Sequence, residues 1–392
     1  MRQTRLVLYG LMFLTEIVWM AIVPLAPVYA REFSLSGFES GTVLATGGVT
    51  TLLVALPAGM LADRLGARRV TTAAAFVVLL GTIGQGLATD YWTLLASRGA
   101  FGLAMGTIWS AGVAWLASLD DGGGSSLGGT MVVAGAGIMV GPLYAGTMTD
   151  HFGLVTPFLI LGAGCALVCA LLVRAKGGTR AAVLAGGTLR DLARGLREPF
   201  LIGGLAAWTL IGFVNGGLNL LIPLGLERQG LSAGEIGAAF TVSSTIFVIV
   251  SIVLTRMGAR SVRLEIAGFA AVAYAALIVF GVASTAMIAL LVLVVARAPA
   301  WAALATLAYP FGAAGASAAG IGQGSVMGAL NLVWGLSNAL GPLVAGGVAD
   351  AAGLQLGFVP ALLVAGLAGG LLLTAGRARP RGALARERQP AG

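Results

Sequence analysis

Only 10% of the 392 residues are charged and 58% are hydrophobic, with a mean hydropathy of +0.96. A soluble domain carries roughly 25% charged residues, so a water-facing surface of ordinary polarity is excluded. The net charge of +8 sits almost entirely in short loops between apolar runs, so its reading is membrane topology and not a nucleic-acid partner.

A helix needs roughly 20 apolar residues to cross a hydrocarbon core of about 30 Å. Apolar runs bounded by charges and Gly/Pro clusters predict spans near 6–30, 39–62, 70–89, 91–118, 126–149 and 153–174, then near 199–226, 235–255, 264–283, 285–307, 322–349 and 354–376. The first run is long enough to be a span and not a signal peptide. The expected fold is an all-α integral membrane protein of twelve transmembrane helices. Residues 1–175 form a first six-helix bundle, 176–198 a cytoplasmic linker, 199–376 a second bundle and 377–392 a basic cytoplasmic tail. In the linker, Leu189, Leu192 and Leu196 fall on one face and Arg190, Arg194 and Arg197 on another, which predicts a short amphipathic helix on the inner membrane surface.

An even number of spans puts both termini on one side. Of the 23 Lys and Arg, the loops on the opposite side hold only Arg31 and Arg228, and Arg98 and Arg297 lie inside spans. The rest flank the termini and their loops, so both termini are expected in the cytoplasm. Cys165 and Cys169 stand one turn apart in an apolar run and read as buried packing.

The two halves repeat each other. Gly141–Phe158 (GPLYAGTMTDHFGLVTPF) and Gly341–Phe358 (GPLVAGGVADAAGLQLGF) agree at nine of eighteen positions, and Arg98 in the fourth span has its counterpart in Arg297 in the tenth. Parallel repeats of this kind imply two bundles related by a pseudo-two-fold axis along the membrane normal, with substrate bound between them near the midplane.

Taken along the chain, Glu16 is the first chemically loaded position. It lies about 16 Å beyond Arg5 at 1.5 Å per residue, near the bilayer centre. A carboxylate there costs several kcal/mol unless paired, hydrated or protonated, which makes it a candidate proton carrier. Phe13, Glu16, Met20 and Val23 share a helical face. In the fourth span Arg98, Gly102, Met105 and Trp109 share another, and Arg98 is the expected partner of Glu16. Arg297 has no evident acid and either faces the cavity or snorkels outward. Asn215 and Asn219, one turn apart, and Asn331 and Asn338, seven apart, serve either ligand orientation or interhelical hydrogen bonding.

Gly59-Met-Leu-Ala-Asp63-Arg64-Leu-Gly66-Ala-Arg68 joins the second and third spans, and Gly137-Ile-Met-Val-Gly141-Pro142-Leu-Tyr-Ala-Gly146 lies in the fifth. The first resembles the loop pattern G-x-L-a-D-r-x-G-r-R of the major facilitator superfamily. The second is similar to that family's exporter motif G-x-x-x-G-P-x-x-G-G, with Ala145 in place of one glycine. Pro24 and Pro27 at the outer end of span one and the Arg98-Gly-Ala-Phe-Gly102 run add to the likeness with its twelve-helix drug:proton antiporter branch. The resemblance implies an inner gate latch at Asp63 and Arg64, a part for Arg98 in proton transfer beside Glu16, whose own candidacy rests on its depth, and a monomer. From the shared faces and the amides, the expected lining of the substrate cavity is Phe13, Met20, Met105, Trp109, Asn215, Asn219, Arg297, Asn331 and Asn338.

Lys176, the only lysine, is not in a phosphate-binding loop, and no His/Cys/Asp cluster has metal-ligand spacing. No enzymatic activity, metal or cofactor is expected. The expected partners are a small-molecule substrate, protons and the lipid bilayer, with no nucleic acid. The arginine bias indicates a GC-rich bacterial genome and a place in the cell (inner) membrane. The expected function is proton-coupled efflux of small amphipathic compounds by alternating access. The alternatives are a proton-coupled importer of a sugar or organic acid, and a non-transporting membrane sensor or scaffold.

Overall fold

The computed structural model describes residues 2–119, 125–175 and 198–377. The predicted linker helix and the basic tail past Arg377 lie outside the described residues. Among the described residues, twelve helices are long and apolar enough to cross a membrane. The first six are α1 (Arg2–Glu32), α2 (Gly37–Leu65), α3 (Ala67–Gly86), α4 (Tyr91–Ala117), α5 (Ser125–Phe152) and α6 (Val155–Arg174). The second six are α7 (Pro199–Arg228), α8 (Ala233–Met257), α9 (Leu264–Ala283), α10 (Met287–Ala319), α11 (Gln323–Ala352) and α12 (Leu354–Gly376). The chain is a multipass membrane protein. We call the face that carries the termini and the arginine-rich loops the inner face.

The helix ends follow from local chemistry. On the outer face, Ser36, Asp90 and Ser232 cap the starts of α2, α4 and α8, each with a reciprocal bond from the third helical residue. The Thr93 backbone N–H, then the Thr89 hydroxyl and the Trp92 N–H, hold the exposed Asp90 carboxyl below the ordinary aspartate range, against a smaller opposing desolvation. That cap is intact at neutral pH and is lost only as pH falls through the lowered value. The repeat reappears in the turns: Gly153 and Gly353, at φ 79° and 92°, take the same left-handed corner between α5 and α6 and between α11 and α12.

Among the described residues, α12 is interrupted at Phe358 near its outer end, and two further departures from regular helix lie deeper in the spans. A π turn at Ile108–Gly112 interrupts α4, and α10 breaks at Arg297, between Met287–Ala296 and Ala298–Ala319. Helices α1–α6 and α7–α12 form two bundles that meet along α2 against α11 and α5 against α8. Small residues permit these approaches: a Cβ on Gly41 would collide with the Pro342 carbonyl, and one on Gly237 with the Pro142 carbonyl.

The contacts between bundles reveal the conformational state. Hydrogen bonds join Thr241 to the backbone of Met139 and Leu143, Asp150 to Gly234, and Asp350 to Gly37 and Phe38, and an ion pair joins Arg31 to Glu227. All of these lie in the outer half. Residues 20–27 of α1 are buried throughout, whereas Phe13 on α1, Trp109 on α4, and Trp208 and Thr209 on α7, deeper toward the inner face, are partly exposed. The protein is closed outside and open inside.

Candidate functional site

Glu16 sits within α1 at 5% exposure, with Trp109 Nε1 donating to its Oε1 at 3.1 Å. The π turn that begins at Ile108 contains Trp109 and alters the register of α4 where its indole meets α1. Such bulges are frequent at functional sites because they re-aim one side chain without ending the helix. On the other side, a Cβ on Gly137 would lie 2.6 Å from Glu16 Cβ, so α5 closes on the carboxylate-bearing turn of α1. Gly141 continues that contact against Ile17 and Met20.

Arg98 is not the partner of Glu16. It is 1% exposed, and its guanidinium makes long contacts to Gln85 Oε1 (3.5 Å) and the Trp19 carbonyl (3.4 Å). It lies over the rings of Trp19 and Phe101 at 4.9 and 5.4 Å. The reason is depth. Arg98 is eight residues past the outer cap at Asp90 and so lies in the outer half, where its guanidinium reaches the Trp19 carbonyl one turn outward of Glu16. Trp109, three turns further in, brings its indole to Glu16 from the inner side. Among the described residues no ion pair compensates either group.

Arg297 corrects a second expectation, since it neither faces the cavity nor snorkels to lipid. It is 1% exposed inside the second bundle. Its Nη1 donates to Asn215 Oδ1 at 2.7 Å and to Tyr274 Oη at 3.2 Å, and its Nη2 donates to Asn219 Oδ1 at 3.1 Å. The Tyr274 hydroxyl in turn donates to Asn215 Oδ1 at 2.5 Å. Hydrogen bonds to a charged group contribute about 1.5–3 kcal/mol each, so this cage offsets much of the cost of a cation buried without a carboxylate. Phe240 and Trp301 flank it at 5.5 and 5.6 Å, as Trp19 and Phe101 flank Arg98. The two arginines thus occupy repeat-equivalent positions, each between two aromatic rings that come from different pairs of helices, and the Nε of each is buried without a partner.

The remaining cavity candidates separate. Phe13 and Trp109 are partly exposed, while Met20 and Met105 are packed into the cores in this state. Asn331 is exposed and accepts from the Tyr309 hydroxyl at 2.6 Å. Asn338 faces α2 of the other bundle, its Oδ1 3.1 Å from where a Cβ on Gly48 would sit. Trp208 stacks edge-on against Tyr309 and Trp334, bringing α7, α10 and α11 together on the inner side. In the second-to-third-span loop, Gly66 makes the turn at φ 93° and Arg68 donates to the Val173 carbonyl at 3.1 Å within its own bundle. A Cβ on Gly59 would meet nothing within 4 Å, and neither Asp63 nor Arg64 makes a hydrogen bond or ion pair among the described residues. With the inner side open, that loop is disengaged from the second bundle.

The motif in α5 has two faces. Gly137 and Gly141 press on α1, whereas Pro142 and Gly146 press on α8, where a Cβ on Gly146 would collide with the Ala233 carbonyl. Sequence reasoning missed Trp109 as the Glu16 donor, and also Gln85 and Tyr274, which come from helices outside the motifs. It quoted Asp150 and Asp350 as repeat identities without giving them work.

One substitution isolates the Glu16 contact. Trp109→Phe removes the donor and keeps the ring, and a hydrogen bond to a carboxylate is worth about 1.5–3 kcal/mol, so transport is expected to fall roughly tenfold. Combined with Glu16→Gln, it should cost nothing further, because the indole acts on proton coupling only through the carboxylate that the glutamine variant already lacks. Flux through the four members of that cycle checks it, and additive losses would contradict the pairing.

The family profile of the Major Facilitator Superfamily matches residues 8–326. The multidrug resistance protein MdtG of Yersinia enterocolitica is 30% identical over 213 residues, covering 51% of this chain and 50% of that one. A multi-drug resistance efflux pump PmrA homologue of Lactococcus lactis is 30% identical over 158 residues, covering 39% of each. The chain thus spans about half the length of these relatives, or less. Among solved structures, a bacterial homologue of the human lysosomal transporter Spinster, inward-facing and occupied, superposes with a TM-score of 0.79 at 16% identity, over 99% of this chain and 98% of that one. The nucleoside transporter NupG superposes at 0.75 with 14% identity, over 95% and 99%. A profile match across most of the chain, on twelve spans in two repeated bundles, places this protein in the major facilitator superfamily.

Proposed function

We propose that the chain is a proton-coupled exporter of small amphipathic compounds that works by alternating access across the bacterial cell membrane, with both termini in the cytoplasm. The observation that carries the reading is Glu16, a carboxylate deep in the membrane with an indole donor and, among the described residues, no cation paired with it. A group so placed takes up a proton and gives it back as its surroundings change from dry to wet. The multidrug names of the relatives and the packing of the α5 glycines on the Glu16 turn support export.

In this reading the inward-open state admits substrate to the walls formed by Phe13, Trp109, Trp208, Tyr309 and Asn331. Arg98 holds the outer part of α1 through Trp19, and Asp63 with Arg64 latches the inner side in the opposite state. Two buried arginines and one glutamate leave the interior at a charge of +1 when all are ionised, which suits neutral, zwitterionic or singly charged substrates over dications. Cells expressing the chain should accumulate less of a lipophilic monocation or neutral dye than control cells, and a protonophore should abolish the difference. Accumulation unchanged across a charge series of such compounds, or increased, would contradict export.

A further inference from the structure

The outer gate is closed by two copies of one device. At i, i+4 and i+8, Pro142, Gly146 and Asp150 form a stripe on α5 that clasps the start of α8, and Pro342, Gly346 and Asp350 form the same stripe on α11 against the start of α2. Asp150 Oδ2 accepts the Gly234 N–H at 2.8 Å. Asp350 Oδ1 and Oδ2 accept the N–H groups of Gly37 at 2.7 Å and Phe38 at 2.8 Å.

A helix start has orphan donors that its own cap only partly satisfies. Here the caps are symmetric too: Ser36 and Ser232 accept from the third residues, Glu39 and Glu235, and leave the first two amides of each helix free. Asp350 takes both of these amides of α2 and Asp150 takes the second, Gly234, of α8, and each aspartate comes from the opposite bundle. Glycine makes room for it, because a Cβ on Gly37 would lie 2.7 Å from Asp350 Oδ1 and one on Gly234 would lie 2.6 Å from Asp150 Oδ2.

The more conspicuous closure is the Arg31–Glu227 ion pair at 2.6 Å. Its side chains are 67% and 29% exposed, and cavities of about 230 and 420 Å³ flank it. Exposed pairs of this kind contribute about 0–1 kcal/mol. Charge-assisted bonds to helix-start amides are roughly twice as strong as neutral ones and gain further from the helix dipole.

We propose that Asp150 and Asp350 are the positioning residues that hold the outer gate closed, as a two-fold pair of cross-bundle helix caps, and that the Arg31–Glu227 ion pair contributes little to closure. Breaking both caps therefore shifts the protein toward its outward-open state. This holds for any direction of transport and needs no substrate, so its test is independent of the export reading.

The experiment is a distance distribution between spin labels at Leu87→Cys and Ala286→Cys, on the outer loops of the two bundles, in a background lacking Cys165 and Cys169. Asp150→Asn with Asp350→Asn should raise the ratio of long to short distances roughly tenfold or more, as expected for losing charge-assisted bonds. Arg31→Ala with Glu227→Ala should change it by less than about fivefold. Gly37→Ala with Gly234→Ala displaces both carboxylates without changing charge and should reproduce the asparagine result, and it serves in its place if the asparagine pair fails to fold. An unchanged distribution in the cap variants, or a larger shift in the ion-pair variant than in them, would overturn the proposal.

Discussion

Replacing Glu16 by glutamine is expected to abolish proton-driven transport, by at least about 100-fold, while leaving the protein folded. Gln keeps the size and an acceptor for Trp109 Nε1, so the 3.1 Å contact survives and the packing against Gly137 is undisturbed. Only the ability to bind and release a proton is lost. No second carboxylate stands ready to substitute, because the other acids of the described chain lie at its faces: Glu32, Glu39, Asp90, Asp150, Glu227, Glu235 and Asp350 outside, and Asp63, Glu198 and Glu265 inside. Uptake of substrate into vesicles under an imposed pH gradient measures it. Facilitated exchange of substrate at zero gradient should persist, since the gates and the cavity walls do not involve this group. Loss of both activities with a lowered unfolding temperature would make Glu16 a structural residue.

The second large effect is steric. Gly41 and Gly237 are two of the places where the bundles approach closely on the outer side, each against a proline carbonyl of the opposite bundle. Leucine at both positions cannot be accommodated with the gate shut. Overpacking costs about 1–3 kcal/mol per site where the surroundings hold, and here the surroundings have a second arrangement in which to relieve it. The protein should therefore stay folded and remain outward-open, with transport reduced by more than about tenfold for a shift of that size. Ala26→Cys, 4% exposed beneath the gate in α1, should then react with a membrane-impermeant maleimide added outside, in a background lacking Cys165 and Cys169. An unreactive Cys at 26 in a folded double-leucine protein would show that the outer gate closes elsewhere.

Much of this architecture is legible in the residues, and the reason is the solvent. Hydrocarbon requires long apolar helices with internally satisfied backbone, so spans can be counted and their ends found from charges and caps. The depth of Glu16 follows from the same counting. Its partner does not, because Arg98 and Trp109 share a face of an ideal helix. Placing them against α1 depends on depth along crossing helices and on a π turn that nothing in Ile108–Gly112 announces. For Arg297, Asn215 and Asn219 were visible as a pair one turn apart. Tyr274, which completes the cage, comes from α9 and only tertiary packing brings it there. The α5 motif predicts close helix approach, and the structure resolves it into two faces that serve different neighbours. Asp150 and Asp350 were visible as repeat identities, yet capping a helix of the opposite bundle is a relation between distant segments that no local pattern encodes.

Proton movement measured directly tests the central claim. The purified protein in liposomes with a pH-sensitive dye inside is given an outward gradient of a lipophilic monocation. If it exchanges protons for substrate, dye and substrate report opposite fluxes, and Glu16→Gln silences the proton signal. Proton flux in the same direction as substrate, or proton exchange that survives Glu16→Gln unchanged, would contradict the account.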